Sequence, residues 1–161
     1  MAGALPVLEK LKKDLADLQY ELHHKLPKEI EAARAHGDLK ENAEYHACKE
    51  RQGILNARIG QVAGRIRELS LYNLTSIPKG VAAYGSSVTV EDLDDGNEVT
   101  YELVFPEEAD VSAGMISVSS PIGRALLNKV EGDEVQVQTP RGKKTYQINR
   151  LVTLHDRKPE E

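Results

Sequence analysis

The stretch "LEKLKKDLADLQYEL", residues 8–22, decides the fold of the first half of the chain. Leu8, Leu11, Leu15, Leu18 and Leu22 follow one another at spacings of 3, 4, 3 and 4. That alternation stacks them on one stripe of a helix and leaves the charges on the other faces. Leu26, Ile30 and Ala33 continue the stripe with a slip of register. Pro27 lacks a backbone donor, which predicts a kink there. Farther on, Cys48, Gln52, Leu55, Ile59, Val62, Ile66 and Leu69 repeat the same spacing. Two such stripes joined by a short connection bury each other by folding back as an antiparallel coiled-coil hairpin. Each arm of about 30 residues would span roughly 45 Å, which makes a rod with a tip. Gly53, Gly60 and Gly64 lower the helix propensity of the second arm and are expected to allow close packing.

The second half changes to a period of two. "SSVTVEDL" (86–93), "EVTYELVF" (98–105), "EVQVQT" (134–139) and "KTYQINRLV" (144–152) alternate or run β-branched, with turns at "DDGN" (94–97) and "PRGK" (140–143). "SSPIGRALLNK" (119–129) predicts a short helix with Ser120 as N-cap and Pro121 at the first helical position. The fold class is therefore α+β. A helical hairpin (1–75) is followed by a small, mostly antiparallel sheet domain with one short helix (76–156), and the joint falls near "TSIPKG" (75–80). Residues 157–161, the end of "DRKPEE" (156–161), are expected to form a disordered tail.

Composition narrows the function classes. Charged residues make up 29% of the 161, and the formal net charge is −5. Residues 1–75 hold 12 Lys and Arg against 11 Asp and Glu, and the remainder holds 9 against 15. An acidic total argues against strong binding to free DNA, which relies on basic side chains at phosphates. No run approaches the ~20 apolar residues of a membrane helix. The N-terminal "MAGALPVLEKLKKDL" turns charged by residue 9, without the apolar core of a signal peptide. The expectation is a cytoplasmic protein with no membrane partner. Cys48 is the only cysteine, which excludes an intrachain disulfide and a multi-cysteine zinc finger.

The far end of the rod carries "AHGDLKEN" (35–42). Local rules make this a helix boundary. Gly37 ends the first helix in a left-handed conformation, Asp38 caps the next, and Glu41 completes a capping box. A second reading starts from position, because a carboxylate pair at the tip of a rod can be delivered into a cavity of another macromolecule. Two carboxylates with the remaining positions left to water suit Mg²⁺, although they do not hold it tightly alone. Such an ion serves phosphodiester hydrolysis. Both readings stand on the residues alone.

"EAARAHGDLKENAEYHACKERQ" (31–52) resembles the tip of the bacterial GreA/GreB transcript cleavage factors, and "SVSSPIGRALLNKVEGDEVQVQTP" (117–140) resembles their globular domain. The resemblance runs over about residues 5–155 in the same order. It implies a coiled coil inserted into the secondary channel of RNA polymerase and a C-terminal FKBP-like domain docked on the channel rim. By the same resemblance, Asp38 and Glu41 help the polymerase hold a catalytic Mg²⁺ and orient water for cleavage of the 3′ end of backtracked RNA. The protein is then an accessory factor, and the active site belongs to the polymerase. Ser120, Pro121 and Ile122 become candidates for the rim contact, and Asn42, Glu44 and Tyr45 for polymerase contact near the tip.

Arg34 and Lys49 match basic positions near the family's tip and are candidates for RNA phosphate contact; an ordinary solvated helix face explains them equally well. Lys40 fits either role. The few basic residues favour the GreA branch, since GreB relatives carry a larger basic patch. Tyr45 either meets the polymerase or packs across the hairpin. His36 and His46 lack zinc-ligand spacing, and Cys48 sits on the seam as a small hydrophobe. Three rivals come from other classes. A prolyl isomerase would line its pocket with aromatics, but residues 76–161 hold one Phe, three Tyr and no Trp. A channel inhibitor without cleavage stimulation would carry an altered acidic tip. An inert coiled-coil adaptor would use the two carboxylates as a cap only.

Overall fold

The structure, a computed structural model, describes residues 5–37 and 42–157. It divides into two units, Met1–Leu74 and Thr75–Glu161.

The first unit is a helical hairpin. Its outgoing arm comprises α1 (Pro6–Tyr20), a π-helical turn (Glu21–Lys25) and α2 (Leu26–Arg34); its return arm is α3 (Ala43–Leu69). Both α1 and α2 pack along α3. Pro6 starts α1, where its missing N–H has no helical partner to lose. Leu8, Leu11, Leu26 and Ala33 are buried, as are Leu55 and Leu69 on the return arm, while the remaining stripe residues are half-buried. Each fully buried leucine is worth about 1.5–3 kcal/mol.

Three features depart from the sequence reading. The slip of register between Leu22 and Ile30 is taken up by the π-helical turn Glu21–Lys25, just before Pro27. A wider turn moves the seam around the helix, and it sits where a proline would clash with the carbonyl four residues back. Gly53 and Gly60 have open space where a Cβ would stand, so they do not serve close packing. A bidentate pair, Arg51 Nε and Nη2 on Glu21 Oε1 with Nη2–Oε2 at 2.8 Å, joins the arms at the π turn. Being exposed, it fixes register more than it adds stability.

The second unit is a five-stranded sheet in the order β3-β2-β1-β5-β4. The strands are β1 (Ser87–Asp92), β2 (Glu98–Val104), β3 (Met115–Ser117), β4 (Glu134–Thr139) and β5 (Gly142–Val152), with α4 (Pro121–Leu126) between β3 and β4. All pairs are antiparallel except β2 with β3, and β3 was not legible as a strand. It is three residues long, too short to show alternation. The core comprises Ala82, Val88, Val90, Leu103, Ile116, Leu126, Val135 and Ile148, with α4 covering one side.

The sheet unit is fastened close to its end. Thr153 caps a short 3₁₀ turn (Leu154–Asp156), with the Asp156 carboxylate accepting from the Thr153 backbone N–H at 2.9 Å. Arg157 then reaches Glu102 at 3.2 Å and Ser87 Oγ at 2.6 Å. Arg157, the first residue of the expected tail, is thus tied to the sheet by an ion pair and a hydrogen bond; the rest of that tail, 158–161, lies outside the described residues. Among the described residues, no helix is long and apolar enough to cross a membrane.

Candidate functional site: the hairpin tip

The first arm ends at Arg34, and Ala35 and His36 continue as a turn. Gly37 follows with φ +147°, a backbone conformation that side chains with a Cβ rarely adopt. Asp38, Leu39, Lys40 and Glu41 lie outside the described residues, so the predicted carboxylate pair has no geometry to report. The chain resumes at Asn42.

The cap of α3 is Asn42, not the expected Asp38. Asn42 has extended backbone, and its Oδ1 accepts from the Tyr45 N–H at 3.1 Å. Asn ranks with Asp as an N-cap, so the signal was present, but two eligible residues stood four positions apart and only the fold chose between them. The other end of the same amide donates from Nδ2 to the Ala33 carbonyl in the first arm. That carbonyl lies in the last turn of α2 and already accepts the His36 N–H at 3.2 Å, so Asn42 gives it a second donor. One side chain thus serves both helix ends at the base of the tip.

A second contact lies beside it. The Arg34 guanidinium sits over the Tyr45 ring, 5.7 Å from its centroid, within cation–π range. Tyr45 is half-buried and meets the His46 ring edge-on at 5.7 Å. Tyr45 therefore packs across the hairpin, the second of its two predicted roles. Glu44 is exposed in the first turn of α3, where its charge favours the helix dipole. Lys49 donates to Gln52 Oε1 at 2.7 Å, one turn along its own helix. Arg34 and Lys49 are both exposed.

The residues expected at the rim lie on the second unit. Ser120 caps α4: its Oγ accepts from the Gly123 N–H at 3.1 Å and donates to the Ser117 carbonyl at 2.6 Å. Its hydroxyl is thereby used within the fold. Pro121 is exposed and Ile122 is half-buried against the core, so these two offer the surface. Gly123 is required at this corner, since a Cβ there would stand 2.0 Å from the Ser117 carbonyl oxygen. Two open clefts on this unit, about 310 and 390 Å³, have no aromatic residue among those lining them.

Sequence comparison fits both units. Residues 7–70 match the model of the N-terminal part of transcription elongation factors, and residues 77–151 match that of the GreA/GreB C-terminal part. The chain belongs to the GreA/GreB family of transcription elongation factors. Among the family's members, transcription elongation factor GreA of Maridesulfovibrio salexigens is 45% identical over 143 residues, covering 89% of each chain. That of Anaeromyxobacter sp. strain K is 43% identical over 154 residues, covering 96% of this chain and 93% of the relative. A solved relative, GreA factor homolog 1 of Thermus thermophilus, is 25% identical with a TM-score of 0.41, over 90% of this chain and 94% of that one.

Proposed function

We propose that this GreA/GreB family member is an accessory elongation factor that enters the secondary channel of RNA polymerase by its hairpin tip. There it stimulates the polymerase's own cleavage of the 3′ end of backtracked RNA, which returns arrested complexes to synthesis. It acts in the cytoplasm, with the polymerase and the nascent RNA end as partners. Family membership over both units supports the elongation role. The observation that carries the reading is the match of both units to the family, while Asn42 and not Asp38 fills the cap of α3.

The donor set fits Mg²⁺, because two carboxylates offer hard oxygens and leave most of an octahedral shell to water and partner groups. Asp38 and Glu41 would hold the ion jointly with the polymerase. When bound, such an ion supplies charge stabilisation and a more acidic water for phosphodiester hydrolysis. The rest of the chain serves delivery. The coiled coil carries the tip inward, Pro121 and Ile122 meet the channel rim, and Arg34 and Lys49 lie within the tip region to meet RNA phosphates. Arg34 reaches them while its guanidinium rests on Tyr45. Glu44, exposed beside the cap, faces the polymerase.

The test uses stalled, backtracked elongation complexes with Mg²⁺. Wild type releases short 3′ RNA fragments, whereas Asp38→Asn and Glu41→Gln lose release while still competing with wild type for the polymerase. Normal cleavage by the double variant would refute the carboxylate role. Binding without any cleavage by wild type would point to a channel inhibitor instead.

A further inference from the structure

The two edges of the sheet differ. β3 is three residues long, whereas β4 (Glu134–Thr139) runs for six and ends the order β3-β2-β1-β5-β4, with no described strand beyond it. Its pairing with β5 fixes which backbone groups face outward. The Ile148 N–H donates to the Asp133 carbonyl at 2.9 Å, and the Thr145 carbonyl turns the other way, accepting the Leu93 N–H at 3.0 Å. Register sets Thr145 against Gln136. Hydrogen-bonded pairs alternate along an antiparallel ladder, so Glu134, Gln136 and Gln138 aim their N–H and C=O groups away from β5. Lys and Pro commonly blunt such an edge, and "EVQVQT" (134–139) contains neither.

The cleft of about 390 Å³ lies along this edge. Val135 of the core face and Glu134 and Gln136 of the opposite face all line it, together with Leu127 from the turn after α4. Arg124 and Lys129 line it too, and neither has an ion-pair partner among the described residues. Two cations against the single carboxylate of Glu134 make the cleft basic, within a half of the chain that holds 9 Lys and Arg against 15 Asp and Glu. We propose that the β4 edge and its cleft are a docking site for an extended, acidic segment of another protein. The segment adds a sixth strand: its backbone pairs with the outward groups of Glu134, Gln136 and Gln138, and its carboxylates meet Arg124 and Lys129. A second copy of β4 complements the cleft less well. Paired antiparallel about Gln136, it would set its own Gln136 and Gln138 there and no carboxylate.

The probe is an acetylated and amidated octapeptide of alternating Glu and Val, titrated into the ¹⁵N-labelled full chain. It should bind with a dissociation constant below about 1 mM. Amide shifts should centre on Glu134, Gln136 and Gln138, whose N–H groups then exchange more slowly. The same peptide N-methylated at every amide keeps its charge and loses its donors, and should bind about tenfold more weakly or worse. An alternating Lys and Val peptide should lose about fivefold or more. Gln136→Pro removes an N–H that faces outward, which an edge strand tolerates, and should weaken the Glu peptide about fivefold or more. No binding up to about 1 mM overturns the inference. So does equal binding of the N-methylated or the Lys peptide, or a set of shifts that spares β4. Protection of the three amides that rises with protein concentration in the absence of peptide assigns the edge to a second copy and overturns it as well. The wild-type titrations stand whatever Gln136→Pro does to folding; a folded Gln136→Pro that binds within about twofold of wild type also overturns the inference.

Discussion

The hairpin tip and the last turn of the sheet unit carry the same kind of signal with opposite outcomes. At the tip, Asp38 and Glu41 have the spacing of a capping box, yet α3 begins at Ala43 under Asn42. At the other end of the chain, "TLHD" (153–156) lay beside a supposed tail, yet Thr153 and Asp156 form a complete reciprocal box. Its hydrogen bonds hold the Asp156 carboxyl below the usual carboxylate range, first through the Thr153 backbone N–H and then through its hydroxyl. An acidic side chain in the sheet unit is used by its own backbone. The start of α3 instead uses an uncharged amide as its cap. A capping pattern states what a side chain can do, and the surrounding packing determines which eligible residue does it.

The largest test of this contrast lies at the α4 corner, a helix start with almost no room to adjust. Gly123→Ala places a methyl group against the Ser117 carbonyl. It should destabilise the sheet unit by about 3 kcal/mol or more in denaturant unfolding. A loss under about 1 kcal/mol would mean that the corner is adaptable. Next come the two caps themselves. Thr153→Ala and Asn42→Ala should each cost about 1 kcal/mol, read from chemical unfolding of the respective unit. Equal costs would show that both caps do their local work despite their different neighbours.

A smaller effect is expected in acid. The folded pKa of Asp156 lies below its unfolded value of about 3.9. Its stabilisation is therefore complete above that value and is lost as pH falls through the folded pKa. Melting curves of wild type and Asp156→Asn should differ at neutral pH and converge as the pH falls through the folded pKa. A gap that stays constant with pH would remove the charge from the explanation. The smallest effect sharpens the comparison most. Asp38→Ala should change hairpin stability by less than about 0.5 kcal/mol, because Asn42 fills the cap of α3. A cost equal to that of Asn42→Ala would return Asp38 to the capping role.

Much of the architecture was legible because it rests on periodicity. The leucine stripe from Leu8 to Leu22 and its counterpart from Cys48 to Leu69 named the seam, and every member is buried or half-buried. The cap Ser120 and the start of α4 at Pro121 were legible because a proline fixes the first helical position. The strand β3 was not, since three residues carry no period. Nor was the π turn, whose sequence trace is a slip of register beside the kink expected at Pro27.

The chemistry-bearing residues divide in the same way. By itself the sequence determined the rod, the sheet unit, the position of two carboxylates at the end of a hairpin, and a family resemblance carried by long motifs. Those follow from spacing and residue type, which are local and additive. Only the tertiary structure decided that Asn42 caps α3 and crosses to Ala33, that Arg34 lies over Tyr45, and that Ser120 is used within its own corner. Each is a choice among several competent partners. The packing of two helices or of a strand against a turn brings one partner within hydrogen-bonding distance and leaves the others out of reach.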